Sequence, residues 1–173
     1  IIQSVMQMVT MPVQGITQGV QPIMSFNYGA GDYQRVRRTF QLLLRVTLTA
    51  TTSAFLIVLL FPGALAMLFN DNRELVELVS RVMPIFFGGI WAFGAQMACQ
   101  SAFMALGQAK TSLFLALLRK VILLVPLAII LPRIIGNVMG IYIAEPIADV
   151  LASATTLTLF LRRRKLLLPE REN

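Results

Sequence analysis

Histidine is missing from these 173 residues, and cysteine occurs once. Without histidine there is no imidazole for proton transfer near neutral pH, no histidine metal site and no Cys–His nucleophile. A single thiol cannot close an intrachain disulfide, and Cys99, set in an apolar stretch, reads as packing. Charge is scarce too: Asp, Glu, Lys and Arg make up 13% of the chain, against about 25% in an ordinary soluble domain. Acids are scarcest, 8 against 15 basic residues, which leaves a net charge of +7. The cations gather at the ends of apolar runs, where in a membrane protein they set orientation. Nucleic acid is therefore not an expected partner, and no cofactor is expected.

Apolar residues fill the space that charge leaves, at 57% of the chain. Residues 1–31, 46–70 and 82–109 contain no charged side chain at all. Each run is long enough to cross a bilayer, which takes roughly 20 apolar residues, whereas a buried soluble helix is usually shorter and keeps a polar face. The expected fold class is all-α, a polytopic membrane helix bundle with the lipid bilayer as its partner. Five spans are expected, at 4–28, 39–69, 80–106, 111–132 and 137–161, within one unit covering 1–168, followed by a polar tail at 169–173. The chain begins inside an apolar stretch, without Met or a basic leader, so it reads as a piece of a longer protein rather than as a signal peptide.

Basic residues orient the spans. Segment 32–38 carries Arg35, Arg37 and Arg38, with Arg45 close behind; Lys110 joins the third and fourth spans; 162–165 follows the fifth. Together with Arg119, Lys120 and Arg171 these account for 12 of the 15 basic residues, leaving Arg73, Arg81 and Arg133 for the other side. The excess places the first group, and the C-terminus, in the cytoplasm of a cell (inner) membrane protein. Pro12, Pro22, Pro84, Pro126 and Pro146 fall inside the spans, as do several glycines. Such residues are common in membrane helices, and as a set they suit kinked helices that line a cavity.

One stretch is more specific. Residues 15–32 hold Gln18-Gly19-Val20-Gln21-Pro22 and end in Asn27-Tyr28-Gly29-Ala30-Gly31-Asp32, with Arg35, Arg37 and Arg38 following. Gly29 and Gly31 suit a tight turn, and the arginines hold it on the cytoplasmic side. This segment closely resembles the eighth helix, and the turn after it, of the multidrug and toxic compound extrusion (MATE) family. Met83-Pro84 through Ala105-Leu106-Gly107-Gln108 is similar to that family's tenth helix, 112–126 with Arg119 to its eleventh, and Gly140-Ile141-Tyr142 with Glu145-Pro146 and Asp149 to its twelfth. The resemblance implies five helices of an incomplete six-helix lobe in a two-lobed antiporter. The N-terminal lobe and the seventh helix would then be missing partners, small organic compounds the substrates, and protons or sodium ions the coupling ions.

Ionisable residues at membrane depth are functional candidates. At about 1.5 Å per helical residue, Glu145 and Asp149 lie roughly 12 and 18 Å from the outer end of the fifth span, and Arg119 roughly 12 Å from the inner end of the fourth. In a core about 30 Å thick, Arg119 and Asp149 share a depth on consecutive antiparallel helices. One reading is a buried ion pair; the other is that Glu145 or Asp149 carries the coupling cation. The resemblance implies coupling carboxylates in the missing half or on the seventh and tenth helices, but the tenth-helix segment has Gln96 and Gln100 instead of an acid. Gln96 and Gln100, four apart, either meet substrate or bond neighbouring helices. With Met97 and Phe93 they are the candidate cavity wall, because Met adapts to varied ligands and aromatic faces attract organic cations.

The expected function is secondary active export of amphipathic, often cationic, drugs or toxic organic compounds in exchange for protons or sodium ions. A lipid-linked oligosaccharide flippase of related architecture and a non-transporting truncated membrane protein are the alternatives. No hydrolytic motif is visible, so an enzyme is not expected.

Overall fold

The computed structural model describes residues 1–167, and the polar tail read at 169–173 lies outside the described residues. Five helical rods follow one another. They are α1 (Ile2–Gly29); α2 (Tyr33–Leu60), trailed by the short α3 (Pro62–Met67); α4 (Arg73–Phe86), which passes through a 3-10 turn (Phe87–Gly89) into α5 (Ile90–Ala105); α6 (Ala109–Leu117), a π-helical segment (Leu118–Leu124) and α7 (Val125–Ile135); and α8 (Met139–Leu167). No strand occurs among the described residues. The fold is the membrane helix bundle expected.

Local chemistry sets the boundaries. Gly31 takes φ 75° in the turn after α1, a left-handed conformation that costs a glycine little. Asp32 then caps α2 by accepting from the Arg35 backbone N–H at 3.1 Å. The second rod therefore starts at Tyr33, earlier than the expected 39, and it ends at Leu60 rather than 69. Pro62 explains the early end. Its ring pushes the preceding residue out of the helical region, and Phe61 sits at φ −129°, ψ 46°. Asn72 accepts from the Glu74 N–H at 3.0 Å and starts α4 at Arg73, ahead of the expected 80.

The segments Tyr33–Leu60, Arg73–Ala105, Ala109–Ile135 and Met139–Arg163 are each long and apolar enough to cross a bilayer. α1 matches α2 at 28 residues and is uncharged, but it is not one of these four, and the amides of Gln3, Gln7, Gln14, Gln18 and Gln21 set it apart.

α5 is enclosed by α1, α2 and α8. It is buried nearly all round, with Ala92, Ala95, Ala98, Cys99, Ala102 and Phe103 in the core. Small residues at these positions let the neighbouring backbones come close. One core cluster gathers Met24, Phe40, Leu43, Phe103, Leu115 and Phe160, with the Phe40 and Phe160 rings stacked at 4.3 Å and Phe103 edge-on to Phe160 at 5.4 Å. A second, towards the other end, gathers Val5, Val58, Val79, Met83, Phe87 and Ile90. By contrast, the α6–α7 rod exposes Leu113, Phe114, Ile122, Ile129 and Ile134. An apolar surface of that size suits hydrocarbon and not water.

Candidate functional site

Two features bring the charged groups of the bundle together. The first is the π segment, whose wider turns interrupt the α register around Arg119; such bulges are frequent at functional sites. Pro126 lies just beyond it, and its ring would press on the Ile122 carbonyl four residues back if the helix stayed α. The second is Gly89 in the 3-10 turn. A Cβ there would stand 2.7 Å from the Cα and O of Pro146 and 2.8 Å from the Cβ of Asp149. Only a residue without a side chain lets α8 approach α5 this closely. Ser153 Oγ fastens the contact by donating to the Ala92 carbonyl at 2.7 Å.

Arg119 reaches from the π segment to α8. Its Nε donates to Asp149 Oδ1 at 2.5 Å and its Nη2 to Glu145 Oε1 at 3.1 Å. Asp149 is 1% exposed and Arg119 7%. The guanidinium also lies over the Phe93 ring, 4.2 Å from its centroid. One cation thus meets two carboxyl groups and an aromatic face. An isolated charge at this depth costs about 2.5–3.5 kcal/mol to insert, and the pairing offsets part of that. The residues read as a candidate pair or coupling site, Arg119, Glu145 and Asp149, form one cluster.

Beside this cluster is a cleft of about 280 Å³, floored by α5 and flanked by α1 and by the α6–π rod. Phe93, Gln96, Met97 and Gln100, the four residues expected at a cavity wall, all line it, and so does Arg119. Gln100 Nε2 donates to the Ser112 carbonyl at 3.4 Å while Ser112 Oγ donates to the Gln100 carbonyl at 3.3 Å, so Gln100 is also tied to its neighbouring helix. Gln96 is 1% exposed, and its Oε1 has no hydrogen-bond partner among the described residues.

Gln18 and Gln21 entered the sequence reading only through the motif segment and Lys120 only through the charge distribution; with Gln14, Thr17 and Ser101 they also line the cleft, which that reading did not assign them. The glutamine positions 14, 18 and 21 follow helical spacing and form one stripe, a signal that periodicity alone would have found. The turn residues lie elsewhere. Gly29 closes α1, Gly31 and Asp32 make the turn, and Arg35 and Arg38 line a small cleft with Asp32 and Gln34. Arg37 is on the first turns of α2. This group stands about two helical turns along α1 from Gln21.

A charge-poor bundle of membrane-length helices around a polar, glutamine-lined cleft is the architecture of part of a membrane transporter. The MatE family profile matches residues 1–130, and the chain belongs to that family, the MATE transporters. Over 142 residues it is 30% identical to the FAD transporter of Shewanella oneidensis (strain MR-1), a match covering 80% of this chain and 30% of that protein. A solved chain named protein A shares 38% identity at a TM-score of 0.87, covering 97% of this chain and 37% of its own. An inward-facing multidrug resistance MATE family transporter of the MOP superfamily superposes at a TM-score of 0.89 with 14% identity, covering 99% of this chain and 40% of its own. That last likeness concerns the fold. The chain spans 30% to 40% of the length of these relatives.

Proposed function

We propose that this chain is part of a secondary active antiporter that exports amphipathic organic compounds in exchange for protons or sodium ions. The observation that carries the reading is the cleft, in which glutamine amides, methionine thioethers and Phe93 offer both polar and soft contacts. The missing partner is an N-terminal lobe with a seventh helix, opposite which the cleft would close. The distribution of basic residues supports a cytoplasmic C-terminus in the inner membrane. Arg119 with Glu145 and Asp149 holds the lobe together, and because two carboxyls share one cation, the second is a candidate for the coupling ion. A second reading, favoured by the Shewanella relative, makes a flavin nucleotide the exported compound.

The test is transport by the full product of the gene that encodes this chain, reconstituted in proteoliposomes. A fluorescent amphipathic dye or a flavin should move against its gradient only when a proton or sodium gradient is imposed. Equal movement without either gradient would rule out antiport.

A further inference from the structure

The turn between α1 and α2 carries a second surface, separate from the glutamine cleft. On α1, Pro22 and Ile23 lie four and three residues before Phe26 and so share a face with it. With Asn27 and Arg35 they line a groove of about 420 Å³. Ile23 is 52% exposed and Phe26 78%. Asn27 Nδ2 donates to the Ile23 carbonyl at 2.7 Å, which leaves the open wall of the groove mainly apolar. Just past the end of α1, Arg35 also borders a cleft of about 270 Å³ with Asp32, Gln34 and Arg38. One arginine thus joins an apolar groove to a polar cleft, a position that suits its apolar stem and charged head.

The charge of that cleft is specific. Asp32 Oδ1 already accepts from the Arg35 backbone N–H. No ion pair among the described residues takes up the Arg35 or Arg38 guanidinium. Two guanidiniums against one carboxylate leave the lining with a single positive charge. A phosphodiester carries one negative charge, and a guanidinium can hold phosphate through two parallel N–H bonds. Counted back from Gly29, Phe26 lies roughly 4.5 Å and Ile23 roughly 9 Å beneath the turn, the level at which acyl chains start below a headgroup. In the orientation proposed above, the turn meets the cytoplasmic leaflet, whose anionic lipids attract clustered arginines.

We infer that an anionic phospholipid of the inner leaflet docks at the α1–α2 turn, with its phosphodiester between Arg35 and Arg38 and an acyl chain laid over Pro22, Ile23 and Phe26. The site is distinct from the cleft assigned to export.

Native mass spectrometry of the full-length transporter, with lipid added back to delipidated protein, tests each part. Phosphatidylglycerol should bind the wild type at least about tenfold more tightly than phosphatidylcholine. The double variant Arg35→Gln/Arg38→Gln should bind the two lipids alike, and Arg35→Lys/Arg38→Lys, which keeps the charge, should retain part of the preference. Arg162→Gln removes one cation from the same end of α8 and should leave the preference unchanged. Phe26→Ala should weaken phosphatidylglycerol, and inorganic phosphate should not displace it. A wild type without the preference, as when another part of the transporter covers the groove, overturns the inference. So does a preference that survives in the Gln double variant, or one that Arg162→Gln reduces equally, which would mark diffuse surface charge. Displacement by inorganic phosphate, with Phe26→Ala binding like the wild type, would mark a site for soluble phosphate instead. Lipid binding is read without transport, so its failure leaves the export reading standing.

Discussion

Arg119 and Asp149, thirty residues apart in the chain, meet through a 2.5 Å hydrogen bond between the π segment and α8. Glu145 takes the remaining side of the guanidinium at 3.1 Å, but is less deeply buried than Asp149. Asp149→Asn should therefore harm assembly more than Glu145→Gln. Breaking one partner of a buried pair costs about 3–5 kcal/mol, so the Asn variant should show reduced membrane levels and a lowered unfolding temperature in detergent. Normal levels of Asp149→Asn with ion-coupled efflux abolished would assign Asp149 to coupling instead.

Gly89 should not accept a methyl group. The atoms a Cβ would meet at 2.7 Å belong to the backbone of Pro146, so relief requires moving α8. Gly89→Ala is expected to destabilise by about 1–3 kcal/mol through overpacking. Gly63→Ala is the control, because its Cβ would meet only Ser80 Oγ at an ordinary 3.6 Å. Thermal unfolding of the two variants side by side decides it, and equal melting temperatures would contradict the close approach.

Asp32 caps α2 through a single bond to the Arg35 N–H. Asp32→Ala should cost about 1 kcal/mol, whereas Asp32→Asn should retain most of the stability. Both are measurable by thermal unfolding, and an unchanged Ala variant would show that the cap contributes nothing.

Orientation is open to chemical labelling. Cys99 is buried, and Cys99→Ser supplies a background free of native thiols within this chain. A cysteine at Asn137, between α7 and α8, should react in intact cells with a reagent that cannot cross membranes. One at Lys110, at the start of α6, should react only after the membrane is opened. The reverse pattern would invert the topology read from the basic residues.

The rods were legible because charge-free runs of such length have few uses outside a bilayer. Arg119 and Asp149 could be brought to one depth by counting residues along antiparallel helices, and Glu145 follows one turn earlier on the same face. The break at Phe61 was not legible, since Pro62 interrupts a run that is apolar on both sides. Neither was the π segment, because a change of hydrogen-bond register leaves no mark in composition. The glutamines of α1 were not placed at the cleft for a different reason. An amide carries no charge, so a search for ionisable groups at depth passes over it, although Gln14, Gln18 and Gln21 face the same cleft as Gln96.

The enclosure of α5 has a further consequence. A helix gripped by α1, α2 and α8 together, and fastened to α1 and α8 through Ser101 and Ser153, cannot turn or slide without dragging its neighbours. The α6–π rod, by contrast, leaves most of its side chains outside the core. The wall that α5 gives the cleft is therefore a stationary jaw, like one side of a vice. Any change in the cleft's width falls to the opposing rod, which would have to carry the Arg119 bonds to Asp149 and Glu145 along with it.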